Sequence, residues 1–145
     1  RRPPRRRPAV TLVVDASSVV AALVDGGPDG AWARDVLASE PLAAPHLMPV
    51  EVANVLRRAA QEGELTEDIA SLAHADLLDL EVELFPYEPF AERIWELRRA
   101  LTAYDAWYVA LAEAIGAALV TLDRRLERAA GPRCGFRTPP RRPRR

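Results

Sequence analysis

The chain has 145 residues, of which 49% are apolar and 28% charged, a composition typical of one globular domain. Its formal net charge of −1 is unevenly distributed, because residues 1–8 and 133–145 hold eleven arginines and no acid, while all 21 acids lie between them. All 20 basic residues are arginine, which excludes a Walker A phosphate loop and Schiff-base chemistry, and the single Cys134 excludes an intramolecular disulfide.

The two ends of the chain combine proline and arginine with almost no apolar side chain. Such segments bury too little surface to offset the entropy lost on ordering, so we expect residues 1–8 and 138–145 to be disordered tails around one domain at residues 9–137. We assign the tails no catalytic role. No apolar run approaches the ~20 residues that cross a bilayer, and the first residues lack the pattern of a signal peptide. We therefore expect a cytoplasmic protein without membrane association.

Between the tails, strand-like and helix-like segments alternate. The β-branched run 10–14 is typical of a buried strand in the centre of a parallel sheet, and Thr66 is a typical N-cap. In chain order, the pattern predicts strand 10–14, helices 18–24 and 30–38, strand 42–44, helices 49–62 and 67–80, strand 82–85, helices 88–101 and 104–115, strand 117–121, helix 123–129 and edge strand 134–137. The alternation indicates an α/β domain with a parallel sheet.

Two aspartates directly follow predicted strands. Asp15 ends the first apolar strand, and Asp123 stands two residues after the strand that ends at Thr121. The carboxyl ends of parallel strands lie at one edge of a sheet and border its ligand crevice, so the two carboxylates are expected near each other. Each has a simpler interpretation as the N-cap of the next helix.

Two further acids lie in apolar surroundings. Glu51 and Asp105 are predicted in the first turns of their helices, where a negative charge also favours the helix dipole. A carboxylate among large apolar groups is costly unless it is paired, hydrogen-bonded or bound to a metal. Four carboxylates brought together repel one another, and their hard oxygen atoms are the ligands that Mg²⁺ or Mn²⁺ prefers.

The four segments that carry these acids resemble a known set of motifs. They are Val13–Ser17, Pro49–Leu56, Thr102–Glu113 and Leu119–Asp123, in this order. Together they resemble the four signature blocks of PIN-domain ribonucleases, and within them the VapC toxins of type II toxin–antitoxin pairs, over about residues 12–136. The resemblance implies a three-layer α/β/α domain with a central parallel sheet of four to five strands.

The resemblance also implies roles for individual residues. Asp15, Glu51, Asp105 and Asp123 match the acidic quartet that binds Mg²⁺ or Mn²⁺, and Ser17 matches the small hydroxyl residue near the metal. Asn54 matches a position that often carries a polar residue. The implied function is a metal-dependent endoribonuclease that hydrolyses an RNA such as a tRNA or ribosomal RNA. The implied partners are a second copy in a homodimer and a cognate VapB-like antitoxin.

Several alternatives stay open at the level of the sequence. The quartet allows one metal ion or two, and a non-catalytic PIN-like module that only binds RNA or protein is the competing function, although such a module has no need for four clustered acids. A phosphoaspartyl mechanism at Asp15 is disfavoured because it requires a lysine, and the chain has none.

Trp107 and Tyr108 are candidates to stack a base, with core packing as the alternative. Arginines near the quartet are candidates for phosphate contact, and apolar positions in 21–24, 31–37 and 69–80 for a dimer face or an antitoxin groove. These arginines are Arg57, Arg58, Arg98, Arg99, Arg124, Arg125 and Arg128.

Overall fold

The central layer of the structure, a computed structural model that describes residues 10–143, is a five-stranded parallel sheet. Its strands are β1 (Leu12–Val14), β2 (Leu42–Pro45), β3 (Val82–Phe85), β4 (Ala118–Val120) and β5 (Phe136–Arg137). They lie in the order β3-β2-β1-β4-β5, and every neighbouring pair is parallel. The predicted α/β architecture with a central parallel sheet is therefore confirmed. The predicted tail at 1–8 lies outside the described residues. Of the tail predicted at 138–145, the structure describes residues 138–143, among which Pro139 is buried.

Helices flank the sheet and connect its strands. They are α1 (Ala16–Val24), α2 (Pro28–Ser39), α3 (Leu47–Gln61), α4 (Glu67–Asp79), a short 3₁₀ turn (Glu88–Phe90), α5 (Ala91–Glu96), α6 (Ala103–Ile115) and α7 (Arg124–Arg128). The predicted start of α4 and the predicted end of α6 are confirmed, and each has a clear capping residue. The Thr66 hydroxyl caps α4 by accepting from the Ile69 N–H, and Gly116 ends α6 in the left-handed conformation at φ +65°.

The core lies on both sides of β1. All three residues of this strand are completely buried, as expected for a central strand of a parallel sheet that is covered on two faces. Helix α6 contacts β1, β2 and β4, and its Val109 and Leu111 are also completely buried. Burial of each such side chain stabilises the fold by roughly 1.5 to 3 kcal/mol. The carboxyl ends of β1 and β4 are thus held in a rigid frame.

Three local predictions are wrong in detail. Helix α3 begins at Leu47, ahead of Pro49, so Glu51 is its fifth residue and lies beyond the first turn. The predicted helix 88–101 is divided into a 3₁₀ turn, α5 and further turns. The apolar face predicted for α4 consists of Ile69, Leu72, Ala73, Leu77 and Leu80. It is correct at Ala73 and Leu77, which are buried together with Ala70, and wrong at Ile69 and Leu72, which are exposed.

A glycine fixes the turn between α1 and α2. A Cβ atom added to Gly30 would lie 1.8 Å from the carbonyl oxygen of Asp25, so no other residue fits without moving the backbone. This close approach holds the end of α1 against the start of α2. No helix within residues 10–143 is both long and apolar enough to cross a membrane.

Candidate active site

Asp15 lies at the junction of β1 and α1, at the carboxyl edge of the sheet. Its Oδ1 accepts from the Ser18 N–H at 3.0 Å, so it is the N-cap of α1, and it also accepts from the Ser17 hydroxyl at 2.7 Å. The side chain is buried, and no arginine within residues 10–143 pairs with it. Burial raises the pKa of Asp15 above its ordinary value, although the hydrogen bonds from Thr121, Ser17 and Ser18 oppose this shift.

Glu51 projects from α3 towards the same edge. Its Oε1 accepts a hydrogen bond of 2.7 Å from the buried Tyr108 hydroxyl on α6. Burial is the largest cause that raises the pKa of Glu51; the bond from Tyr108 opposes it, and the charges of Asp105 and Asp15 add to it. The same contacts raise the pKa of Tyr108, first through burial and then through Glu51, so Tyr108 stays protonated and donates.

Asp105 lies in the first turn of α6. Thr102 caps this helix by accepting from the Asp105 N–H at 3.2 Å. Burial raises the pKa of Asp105, and the nearby charge of Asp123 raises it further, against a smaller lowering influence of Arg125. The helix dipole favours a negative charge at this end, but only by about 0.3 to 1 kcal/mol.

Among the residues that the structure describes, Asp123 is the one quartet member with a direct cationic partner. It caps α7, with Oδ1 accepting from the Arg125 N–H at 2.9 Å, and the Arg125 guanidinium donates to both carboxylate oxygens at 3.1 Å. These bonds hold the pKa of Asp123 below its ordinary value, against the opposing effect of burial. The Arg125 side chain is 90% exposed, so solvent screens this ion pair.

Two hydroxyl side chains tie the loops of the site together. Ser17 donates to Asp15 and accepts from the Leu122 N–H at 3.1 Å, which joins the start of α1 to the loop after β4. Thr121 is completely buried and accepts from the Asp123 N–H at 2.9 Å. Ser17 was predicted at the site, whereas Thr121 and Tyr108 were not assigned these contacts. A buried threonine directly after an apolar strand was the available signal for Thr121.

The four predicted acids and Ser17 line one cleft of about 750 Å³. Its other end lies between α1 and α3 and is mainly apolar. The lining there includes Val20, Val24, Val55, Ala59 and Leu65, with two further acids, Asp25 and Glu64. The acids share the cleft, but no three His, Cys, Asp or Glu side chains of residues 10–143 converge closely enough to form a preassembled metal centre. The arrangement is an acidic, partly desolvated surface with a hydrophobic extension.

Other predicted residues have different surroundings. Asn54 is exposed and accepts from the Arg57 side chain at 3.1 Å, and Arg57 also donates to Gln61 on the same helix. Tyr108 is buried in the core and contacts Glu51, while the half-buried Trp107 packs edge-on against Tyr87 at a ring distance of 5.5 Å. Core packing therefore accounts for the aromatic pair in α6.

Comparisons with known proteins agree with this geometry. The PIN domain family matches residues 12–132 of the chain. Ribonuclease VapC9 of Mycobacterium tuberculosis is 44% identical over 130 residues, which cover 90% of this chain and 99% of that protein. The match therefore includes all four segments that carry the acids and nearly the whole length of the relative.

Solved structures share the fold. The crystal structure of PAE2754 from Pyrobaculum aerophilum is 30% identical, with a TM-score of 0.67 over 88% of this chain and 83% of that chain. The structure of VapBC2 from Rickettsia felis, bound to a DNA fragment from its promoter, covers 89% of this chain and 98% of that chain with a TM-score of 0.61. At 13% identity, this second similarity concerns the fold alone.

Proposed function

Because the chain belongs to the PIN-domain family, among the VapC ribonucleases, we propose that it hydrolyses RNA phosphodiester bonds in its four-carboxylate cleft with a divalent cation. The observation that carries this proposal is the convergence of Asp15, Glu51, Asp105 and Asp123 on one cleft from four different segments of the chain. Three of these acids have raised pKa values, which is a common property of functional sites.

The donor set fits Mg²⁺ or Mn²⁺. Hard carboxylate oxygens suit both ions, and the mutual repulsion of Glu51, Asp105 and Asp15 is the kind that a cation relieves. We assign the ion to Asp15 and Asp105 as direct ligands, with Glu51 holding a metal-bound water, since no three acids of residues 10–143 are preassembled around one ion. Asp123 lies at the rim, where Arg125 already offsets its charge. When bound, a divalent cation would lower the pKa of a coordinated water molecule and offset the negative charge that develops on the scissile phosphate.

The other residues of the site position the acids. Ser17 holds Asp15 at 2.7 Å and is itself fixed by the Leu122 N–H, so the carboxylate has a single orientation. Tyr108 holds Glu51 in the same way from the core. Outer residues of this kind set the direction of metal-binding side chains and commonly change affinity or activity 10- to 100-fold when removed.

The proposed partners are an antitoxin and a second copy of the chain. The apolar end of the cleft, with Val20, Val24 and Val55, continues directly from the acids, so an antitoxin segment seated there also covers the RNA site. For the homodimer, Ile69 and Leu72 of α4 supply an exposed apolar face, at 48% and 66% exposure. The protein is proposed to act in the cytoplasm on a tRNA or ribosomal RNA, by internal cleavage.

The test is RNA cleavage by the purified protein with Mg²⁺ or Mn²⁺, with excess EDTA, and after metal is restored. We expect internal cuts that EDTA abolishes and that excess metal recovers. Cleavage that continues unchanged in EDTA would overturn the metal-dependent mechanism. Calorimetry with Mn²⁺ separates the competing function, since a module that only binds RNA or protein shows neither cleavage nor Mn²⁺ binding at millimolar metal.

A further inference from the structure

The chain that follows β5 returns to the edge of the sheet that carries the acids. Strand β5 is parallel to β4, with Arg137 in register with Val120, so both strands end at the same edge. Residues 138–143 continue from there, and Pro139 is buried. Arg124, next to Asp123, donates to the Thr138 hydroxyl at 3.4 Å and to the Pro139 carbonyl. The basic segment is thereby anchored beside the catalytic cleft.

This segment and α7 enclose a surface cavity of about 420 Å³ that is rich in arginine. Four arginines line it, two from each wall, together with one acid, Asp29, and apolar residues that include Leu122. The arginines are Arg124 and Arg128 from α7, and Arg141 and Arg142 from the segment. Leu122 also lines the catalytic cleft, so the two hollows are neighbours.

Within its lining, the cavity carries more positive than negative charge. Asp29 lies 4.0 Å from the Arg142 guanidinium, and the two side chains are 41% and 67% exposed. The lining holds one acid and four arginines, so three of the positive charges have no counter-charge within it. The one exposed ion pair contributes little at this distance. Guanidinium groups present planar pairs of N–H donors that match phosphate oxygens. The chemistry of the lining is therefore that of a phosphate site.

We propose that this arginine cavity binds a backbone phosphate of the RNA on one side of the scissile bond. The inference rests on the proposed function for the identity of the ligand. An acidic cleft repels RNA, and a neighbouring cation cluster offsets that repulsion and fixes the strand across the carboxylates. In this proposal, Arg141 and Arg142 contact the RNA, although they lie outside the segments that carry the acids.

The first measurement is binding of a short fluorescent single-stranded RNA to the full chain in EDTA, where no metal-dependent cleavage interferes. The double variant Arg141→Gln/Arg142→Gln is expected to weaken binding about tenfold and to reduce the slope of log affinity against log salt by about one. Arg128→Gln, from the opposite wall, is expected to weaken binding in the same direction. Circular dichroism checks that each variant is folded.

The matched control is Arg5→Gln/Arg6→Gln, which removes the same charge from another stretch rich in proline and arginine. It is expected to leave affinity within about twofold. Equal losses in the two double variants would mean that only net charge matters, and unchanged affinity in the Arg141 and Arg142 variant would mean that the cavity binds no RNA. Either result overturns the inference, as does competition by polyglutamate as effective as that by RNA, which assigns the cavity to an acidic peptide.

This design separates the inference from the proposed function. If the protein does not cleave RNA but the cavity variants still lose affinity in EDTA, the nuclease proposal fails and the phosphate site stands. If cleavage depends on metal but affinity is unaffected by the cavity variants, the nuclease proposal stands and the phosphate site fails.

Discussion

The two ends of helix α6 carry acids in opposite electrostatic situations. Asp105, in the first turn, has a raised pKa because of burial and the nearby charge of Asp123. Glu113, in the last turn, accepts from the Arg93 guanidinium at 2.9 Å and from the Arg133 N–H at 3.1 Å. Its pKa is lowered: burial acts to raise it, but Arg93 and Arg133 outweigh burial.

The helix dipole alone would give the reverse order, since it favours a negative charge at the first turn and disfavours one at the last. The groups next to each acid, rather than the helix dipole, therefore determine which of the two pKa values is raised and which is lowered. The acid at the end of α6 is satisfied by the protein itself and ties α5, α6 and the loop before β5 together. The acid at the start has no direct cationic partner within residues 10–143, and a perturbed, unpaired acid of this kind is common at functional sites.

The largest expected effect is on catalysis at the first turn. Asp105→Asn keeps the size of the side chain but removes its charge, and we expect RNA cleavage to fall at least ~100-fold, because stabilisation by a bound cation is worth several kcal/mol. The metal-free variant is expected to unfold at the same or a higher temperature, since a repulsive charge is lost. Cleavage rates and thermal unfolding measure the two effects.

Glu113→Gln is the matched control at the other end of the same helix. It makes the same chemical change and is expected to leave the cleavage rate within about twofold of the unchanged protein, because Glu113 does not line the cleft. A comparable loss of cleavage in both variants would contradict the division of α6 into a catalytic and a structural end.

The second prediction concerns the residue that links the core of α6 to the cleft. Tyr108→Phe removes the hydroxyl that donates to Glu51 at 2.7 Å and leaves the ring in its buried position. We expect cleavage to fall about tenfold, and the Mn²⁺ affinity measured by calorimetry to fall with it, because Glu51 loses its orientation. Unchanged affinity and rate in a folded variant would show that Glu51 needs no such support.

The sequence predicts where the cleft acids lie, but it does not predict the ion pair between Glu113 and Arg93 at the other end of α6. Strands β1 and β4 are short apolar runs that end in acids, and the position of those acids follows from the parallel sheet. The first turn of α6 is evident from Thr102 and Asp105. The division of α6 is not evident, because Arg93 lies 20 residues from Glu113 and their contact depends on how α5 packs.

The same limit explains the errors at α3 and α4. Proline is common at the first helical position, so Pro49 suggests a helix start, but a proline is tolerated anywhere in the first turn, where no N–H bond is lost. The helix therefore begins two residues earlier and carries Glu51 past its first turn. For α4, apolar spacing identifies Ala73 and Leu77 correctly. It does not show that Ala70 is buried while Ile69 and Leu72 remain exposed, because that depends on how the helix packs.

The smallest expected effect is on stability in acid. At neutral pH, Glu113→Gln is expected to lower the free energy of unfolding by about 1 kcal/mol, the typical contribution of a partly buried, charge-assisted hydrogen-bond set after solvent screening. Chemical denaturation of the two proteins over a range of pH measures the difference.

The stability difference between the unchanged protein and Glu113→Gln depends on pH, with a sign set by the lowered pKa of Glu113. Between its ordinary value of 4.5 and its lower value in the folded protein, the unfolded chain binds more protons, so the stabilisation is present above 4.5 and is lost as the pH falls through the folded pKa. Two groups near Glu113 do not change charge there, because the bond to Glu113 raises the pKa of Arg93 and burial raises the pKa of the Cys134 thiol. Asp15, Glu51 and Asp105 have raised pKa values and act in the opposite direction, so only the difference between the two proteins isolates Glu113. A difference that stays constant down to the lowest pH at which both proteins fold would contradict the pairing of Glu113 with Arg93.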